Sequence, residues 1–91
     1  MKIRTKVVNF AKTMEKKLRK NDHKGGWREC TFDYLFSSLK VETEELSAFI
    51  QKDLLNSTPN TYKEIREKCA DIANFAMMIS DNCSRILKQQ N

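Results

Sequence analysis

Breaks in helix formation are confined to two short places in this 91-residue chain, and they limit what it can fold into. The only glycines are adjacent, Gly25 and Gly26, and the only proline is Pro59. The rest is rich in Lys, Glu, Leu, Ala, Met and Gln, which favour helices and exclude an all-β domain. We therefore expect an all-α protein, an antiparallel bundle of three main helices.

The first helix is indicated by apolar residues that recur at steps of three and four from Ile3 to Leu18. Such a stripe is typical of one buried helical face. It predicts a helix over about 3–20. Turn-forming residues around the glycine pair then predict an ordered loop over 21–30.

Helix-capping residues mark the start of the other two helices. Thr31 precedes a second apolar stripe and predicts a helix over about 31–55. Thr58 and Pro59 are suited to the cap and first position of a third helix over about 59–88. The short connection between these two helices favours an antiparallel pair.

The chain offers little material for a core, since apolar residues make up 40% and charged residues 32%. We expect one helical domain over 1–91 whose apolar stripes are fully covered only in a homodimer or a higher homo-oligomer. No apolar run approaches the ~20 residues of a membrane span, and the start of the chain lacks a secretory signal. We expect a cytoplasmic protein with no membrane partner.

Positive charge is concentrated in the first third of the chain. Residues 1–28 hold ten Lys or Arg and two acids, a charge of +8, whereas residues 29–91 hold seven bases and ten acids, a charge of −3. The basic part can fold against the acidic part or face phosphates, and total charge does not choose between them. The basic part makes a helical domain that binds nucleic acid one functional hypothesis, to be set beside the two given below. No DNA-reading motif supports it.

Carboxylates occur where the second helix should be apolar. Glu42 lies within the stripe, and Glu45 follows three residues later on the same side. In the third helix, Glu67 and Asp71 run immediately beside the apolar stripe. If the two helices are antiparallel, these four carboxylates converge, and buried carboxylates require a positive partner.

Two kinds of positive partner fit the pattern. Carboxylate oxygens suit a hard cation, Mg²⁺ or Mn²⁺, better than zinc, which predicts a metal site at Glu42, Glu45, Glu67 and Asp71. Alternatively, a lysine closes the acids into ion pairs at the margin of the core, and Lys40, Lys52 and Lys68 are the candidates. The residues alone leave both open.

Three blocks of sequence carry a resemblance to a known family. They are Met14-Glu15-x-Lys17-Leu18 with Asn21-Asp22-His23-Lys24-Gly25-Gly26-Trp27, then Glu42-Thr43-Glu44-Glu45, then the run from Cys69 to Ile79. In this order the chain resembles the MazG-like all-α nucleoside triphosphate pyrophosphohydrolases, especially small phage-type members. The similarity covers about residues 7 to 82.

The resemblance implies Mg²⁺-dependent hydrolysis of a nucleoside triphosphate, an NTP or dNTP, to the monophosphate and pyrophosphate. Glu45 and Glu42 would then be the catalytic carboxylates, and they would bind Mg²⁺ (or Mn²⁺) together with Asp71 and Glu67. The likeness to phage-type members also suggests a phage gene in a bacterial host as the source.

One position departs from the family pattern. The family has a glutamate three residues before the aspartate of the second motif, and this chain has Lys68 there. An ammonium at this position can occupy the space of a cation and pair with Asp71. The alternative function is therefore a catalytically impaired MazG-like protein that binds or sequesters a nucleotide.

Five further residues are candidates for binding the substrate. Lys24 offers a cation beside two unobstructed glycine amides, and Trp27 offers a stacking face for a base, although packing at the helix junction would also explain it. Asn74, one turn beyond Asp71, can hydrogen-bond a phosphate or a sugar. Lys17 and His23 complete the set, each with a plain surface role as its alternative.

Overall fold

The computed structural model describes residues 1–90, and all of its regular secondary structure is helical. Helix α1 spans Thr5–Lys20, α2 spans Phe32–Leu55 and α3 spans Pro59–Gln89, with a 3-10 turn at Asp22–Lys24 in the loop. The all-α prediction is confirmed, and residues 1–90 contain no strand. None of these helices is both long and apolar enough to cross a bilayer.

The helix boundaries follow from local chemistry. Thr31 caps α2 by accepting a hydrogen bond from the Tyr34 amide at 3.1 Å, and Thr58 caps α3 by accepting one from the Thr61 amide at 3.1 Å. Pro59 occupies the first turn of α3, where a missing N–H costs nothing. Helix α1 has no side-chain cap and begins two residues later than predicted.

Helix α3 is the scaffold of the molecule. Both α1 and α2 pack against it, whereas within residues 1–90 no Cα atom of α1 lies within 8 Å of a Cα atom of α2. Asn74 reaches Met14 of α1, while Asp71, one turn earlier in α3, reaches Lys17, one turn later in α1. These pairs show that α1 runs antiparallel to α3. The separation of α1 from α2 leaves a space beside α3 that residues of all three helices line.

The core is very small. Leu35 and Ala70 are the buried apolar residues among 1–90, and Thr61, Asn74 and Asn82 are buried polar ones. Many side chains of the predicted apolar stripes stay exposed, including Val7, Phe10, Ile50 and Ile86. The Cα radius of gyration is 15.2 Å, against about 12 Å for a compact chain of this length. One chain leaves much apolar surface uncovered.

Candidate functional site

A lysine ammonium lies among the predicted metal-ligating carboxylates. Lys68 Nζ is 2.7 Å from Glu42 Oε2, 2.5 Å from Glu45 Oε2 and 3.8 Å from Asp71 Oδ2. Lys17 adds a second ammonium 3.5 Å from Asp71 Oδ2. We call these five residues the Lys68 cluster. Of the lysines considered from sequence, Lys68 closes the ion pairs, because it projects from α3 at the level of both glutamates of α2.

Burial and charge act in opposite directions on this cluster. Desolvation lowers the pKa of Lys68, but hydrogen bonds to Glu42 and Glu45, with their negative charges, raise it by more, so the ammonium stays protonated well above its ordinary range. The pKa of Asp71 is raised, chiefly by burial, although Lys17 opposes the shift. Lys68 therefore neutralises carboxylates that would otherwise repel one another.

The four predicted metal-ligating carboxylates do not all lie together. Within residues 1–90, no group of three or more His, Cys, Asp or Glu side chains is placed to hold a metal ion. The point on which Glu42, Glu45 and Asp71 converge is taken by Lys68 Nζ. Glu67 is not part of the convergence, since it faces a different cleft with Lys16 and Lys63. Glu67 is thus separated from the other three predicted carboxylates.

Beside the cluster lies an open cavity of about 540 Å³, lined by the end of α1, by the loop over 21–31 that we call the glycine loop, and by α2 and α3. We call it the loop cavity. Its volume is typical of small-molecule sites. Four of the five predicted substrate-binding residues line it, together with two carboxylates of the Lys68 cluster: these are Lys17, Lys24, Trp27 and Asn74, with Glu42 and Asp71. His23 is outside this lining, in the 3-10 turn.

The glycine loop is fastened to α3 through Trp27. Its indole N–H donates to Asp81 Oδ2 at 2.9 Å, and its carbonyl accepts from Asn82 Nδ2 at 3.2 Å. The hydrogen bond from Trp27 lowers the pKa of the Asp81 carboxyl, with Arg85 adding to the effect. Gly25 has φ +87°, a backbone conformation that residues with side chains disfavour, and it lets the loop turn directly after the 3-10 turn. The Trp27 ring is thereby held at the cavity.

Asn74 is the one residue among 1–90 with a buried side-chain polar atom that lacks a partner. It is 5% exposed, and its Nδ2 donates to the Met14 carbonyl at 3.1 Å, but its Oδ1 accepts no hydrogen bond. An unsatisfied buried acceptor is costly, which points to a donor supplied by a ligand or by water. Because Asn74 lines the loop cavity, a hydroxyl or amine bound there can provide that donor.

Several residues of the loop cavity were not identified from the sequence. Tyr34 and Phe75 add aromatic surface, and Lys20 adds a third lysine. Asp81 and Asn82, which hydrogen-bond Trp27, lie one helical turn beyond Met78 and in line with Asp71 and Asn74. Following this side of α3 by one more turn in the sequence would have identified them.

Comparison of the chain with protein-family models, with curated proteins and with solved structures finds no match.

Proposed function

We propose that the protein binds a nucleotide in the loop cavity without requiring a divalent cation. The observation that carries this proposal is the set of residues that line one cavity: Trp27 with its ring held in place, three lysines, and Asn74 with an unsatisfied buried acceptor. A nucleotide offers the complement of each. Its base has a face for Trp27, its phosphates are anionic, and its sugar or base supplies hydrogen-bond donors for Asn74.

The Lys68 cluster makes the cavity tolerant of anions. Glu42 and Asp71 line the cavity and would repel phosphate if they were not compensated. Lys68 pairs with Glu42 at 2.7 Å and with Glu45 at 2.5 Å, and Lys17 pairs with Asp71 at 3.5 Å, so the three carboxylates and two ammonium groups together carry a formal charge of −1 instead of −3. These ammonium groups supply the positive charge that the MazG-like family takes from Mg²⁺.

Hydrolysis of the nucleotide to monophosphate and pyrophosphate stays a prediction of the family resemblance. It requires Mg²⁺ or Mn²⁺ among Glu42, Glu45 and Asp71, where Lys68 Nζ now lies. We therefore propose binding or sequestration of a nucleotide before hydrolysis. In this proposal Glu45 and Glu42 are ion-pair partners of Lys68 and not catalytic carboxylates.

The test is calorimetric titration with a panel of nucleoside triphosphates in EDTA. Lys24→Gln should weaken binding about tenfold, because it removes one charge-assisted contact. Lys12→Gln is the matched control, since Lys12 is exposed on α1 and lines neither the loop cavity nor the cleft beyond it. Failure of the whole panel to bind, or an equal loss in both variants, would reject the proposal.

We also infer that the chain forms a homodimer. Large apolar side chains on α1 and α2 stay exposed, among them Val7, Phe36, Val41 and Ile50 at 45–55%. Exposed apolar surface of this extent is typical of an interface rather than of a monomer surface. A second copy of the chain is the partner that fits, because a chain with so little core gains most from mutual burial.

A further inference from the structure

A second, strongly basic cleft lies between α1 and α3, on the other side of the α1 lysines from the loop cavity. We call it the α1–α3 cleft, and its volume is about 260 Å³. Five cationic residues and one carboxylate, Glu67, line it, a formal charge of +4. The cations are Lys16, Lys17, Lys20, Lys63 and Arg66.

The packing of α3 on α1 creates this concentration of charge. Lys63 and Arg66 belong to α3, one turn apart, and the packing places them beside the lysines of α1. Within residues 1–90, Lys17 alone among the five cations has an ion pair, with Asp71. Like charges gathered by a tertiary contact repel one another, and a bound anion relieves that repulsion.

The α1–α3 cleft and the loop cavity share part of their lining. Lys17 and Lys20 line both. A ligand that enters the loop cavity with its nucleoside part can therefore extend its anionic part past these lysines. The guanidinium of Arg66 adds a planar donor group suited to a phosphate at the far side.

We propose that the α1–α3 cleft holds the terminal phosphates of a nucleoside polyphosphate whose nucleoside lies in the loop cavity. This inference rests on the proposed function and assigns the ligand class within it: a nucleotide with a chain of two or more phosphates. The acidic side of the cavity, at Glu42 and Asp71, is then not the place where the phosphate chain lies.

The experiment compares nucleoside mono-, di- and triphosphates by calorimetry in EDTA at fixed ionic strength. The wild type should bind more tightly with each added phosphate. The double variant Lys63→Gln/Arg66→Gln should lose about a hundredfold in triphosphate affinity, since two charge-assisted contacts disappear, and should keep its monophosphate affinity. The control Lys2→Gln/Lys12→Gln removes the same charge outside both sites and should behave as the wild type.

Three results would overturn the inference. Equal triphosphate affinity in Lys63→Gln/Arg66→Gln and in Lys2→Gln/Lys12→Gln would mean that only the electrostatic field of the whole chain attracts the ligand. Triphosphate binding no tighter than monophosphate binding would leave the cleft without a role, although the proposed function would stand. A short single-stranded oligonucleotide that binds more tightly than any triphosphate, and depends on Lys63 and Arg66, would assign the cleft to nucleic acid.

Inorganic tripolyphosphate separates this inference from the proposed function. If no nucleoside mono-, di- or triphosphate binds the wild type, the proposed nucleotide site fails, whereas tripolyphosphate still reports on the cleft alone. Binding of tripolyphosphate that is lost in Lys63→Gln/Arg66→Gln supports a phosphate-chain site. Binding that persists in this variant contradicts it.

Discussion

A single side chain decides the character of the acidic cluster. Lys68 makes ion pairs with Glu42 and Glu45 and lies within 3.8 Å of Asp71. The carboxylates could be identified from sequence because they interrupt an apolar stripe. Which lysine meets them could not, because that depends on the register of α2 against α3. Lys40 instead lies over the Phe36 ring, 5.8 Å from its centroid.

The substitution Lys68→Glu should create a metal-dependent protein. It removes the ammonium and places a fourth carboxylate beside Glu42, Glu45 and Asp71, so repulsion should destabilise the chain in EDTA. Mg²⁺ should then raise Tm by roughly 10 °C at saturation, because binding stabilises the folded state. Differential scanning calorimetry measures this. The control Lys68→Gln should show no rise of Tm in Mg²⁺. An equal rise of Tm in both variants would contradict the role of the Lys68 ammonium as a replacement for the cation.

The Trp27–Asp81 hydrogen bond should give an acid transition in the fluorescence of Trp27, the only tryptophan of the chain. The folded-state pKa of Asp81 is lowered, so its stabilising effect is present above the ordinary value of 3.8 and is lost as the pH falls through the lower folded-state value. The fluorescence midpoint should therefore lie below pH 3.8. A midpoint at or above 3.8, or an unchanged transition in Asp81→Asn, would contradict this.

The helices themselves follow from local signals. The threonine caps, Pro59 and the glycine pair are read directly from the chain, and the observed boundaries differ from the predicted ones by two residues at most. Fastening of the glycine loop onto α3 could not be predicted, because Trp27 and its partners Asp81 and Asn82 are more than 50 residues apart in sequence. Long-range contacts of this kind depend on tertiary packing.

The cap of α3 should matter more than the cap of α2. Thr58 accepts from the Thr61 amide and also bonds the Thr61 hydroxyl at 2.9 Å, and Thr61 is 1% exposed. Thr58→Ala should lower the free energy of unfolding by about 2 kcal/mol, against about 1 kcal/mol for Thr31→Ala, whose site is exposed. Urea unfolding measures both. Thr58→Ser should retain most of the stability, and equal losses at the two caps would contradict this ranking.

For the molecule as a whole, the proposed function depends on the separation of α1 and α2 on α3. The loop cavity lies between these helices, and apolar side chains of both stay uncovered. The three helices were predictable from the sequence, but the separation of α1 from α2 was not, because it depends on packing with no local sequence signal.

Self-association should therefore be measurable. We expect sedimentation equilibrium to give twice the chain mass of 10.7 kDa at micromolar concentration, and Tm to rise with protein concentration because dimerisation stabilises the folded chain. A monomer whose Tm does not depend on concentration would show that the exposed apolar faces of α1 and α2 are not an interface between copies.

Metal-independent binding of a nucleotide in the loop cavity is tested most directly by a fluorescence titration of Trp27 with a nucleoside triphosphate. The titration is made in EDTA and again in Mg²⁺, and the products are analysed. Trp27 lines the loop cavity and is the sole tryptophan. We expect saturable quenching with the same Kd in both conditions and no release of pyrophosphate. Quenching that requires Mg²⁺, accompanied by pyrophosphate release, would contradict the claim that Lys68 replaces the metal.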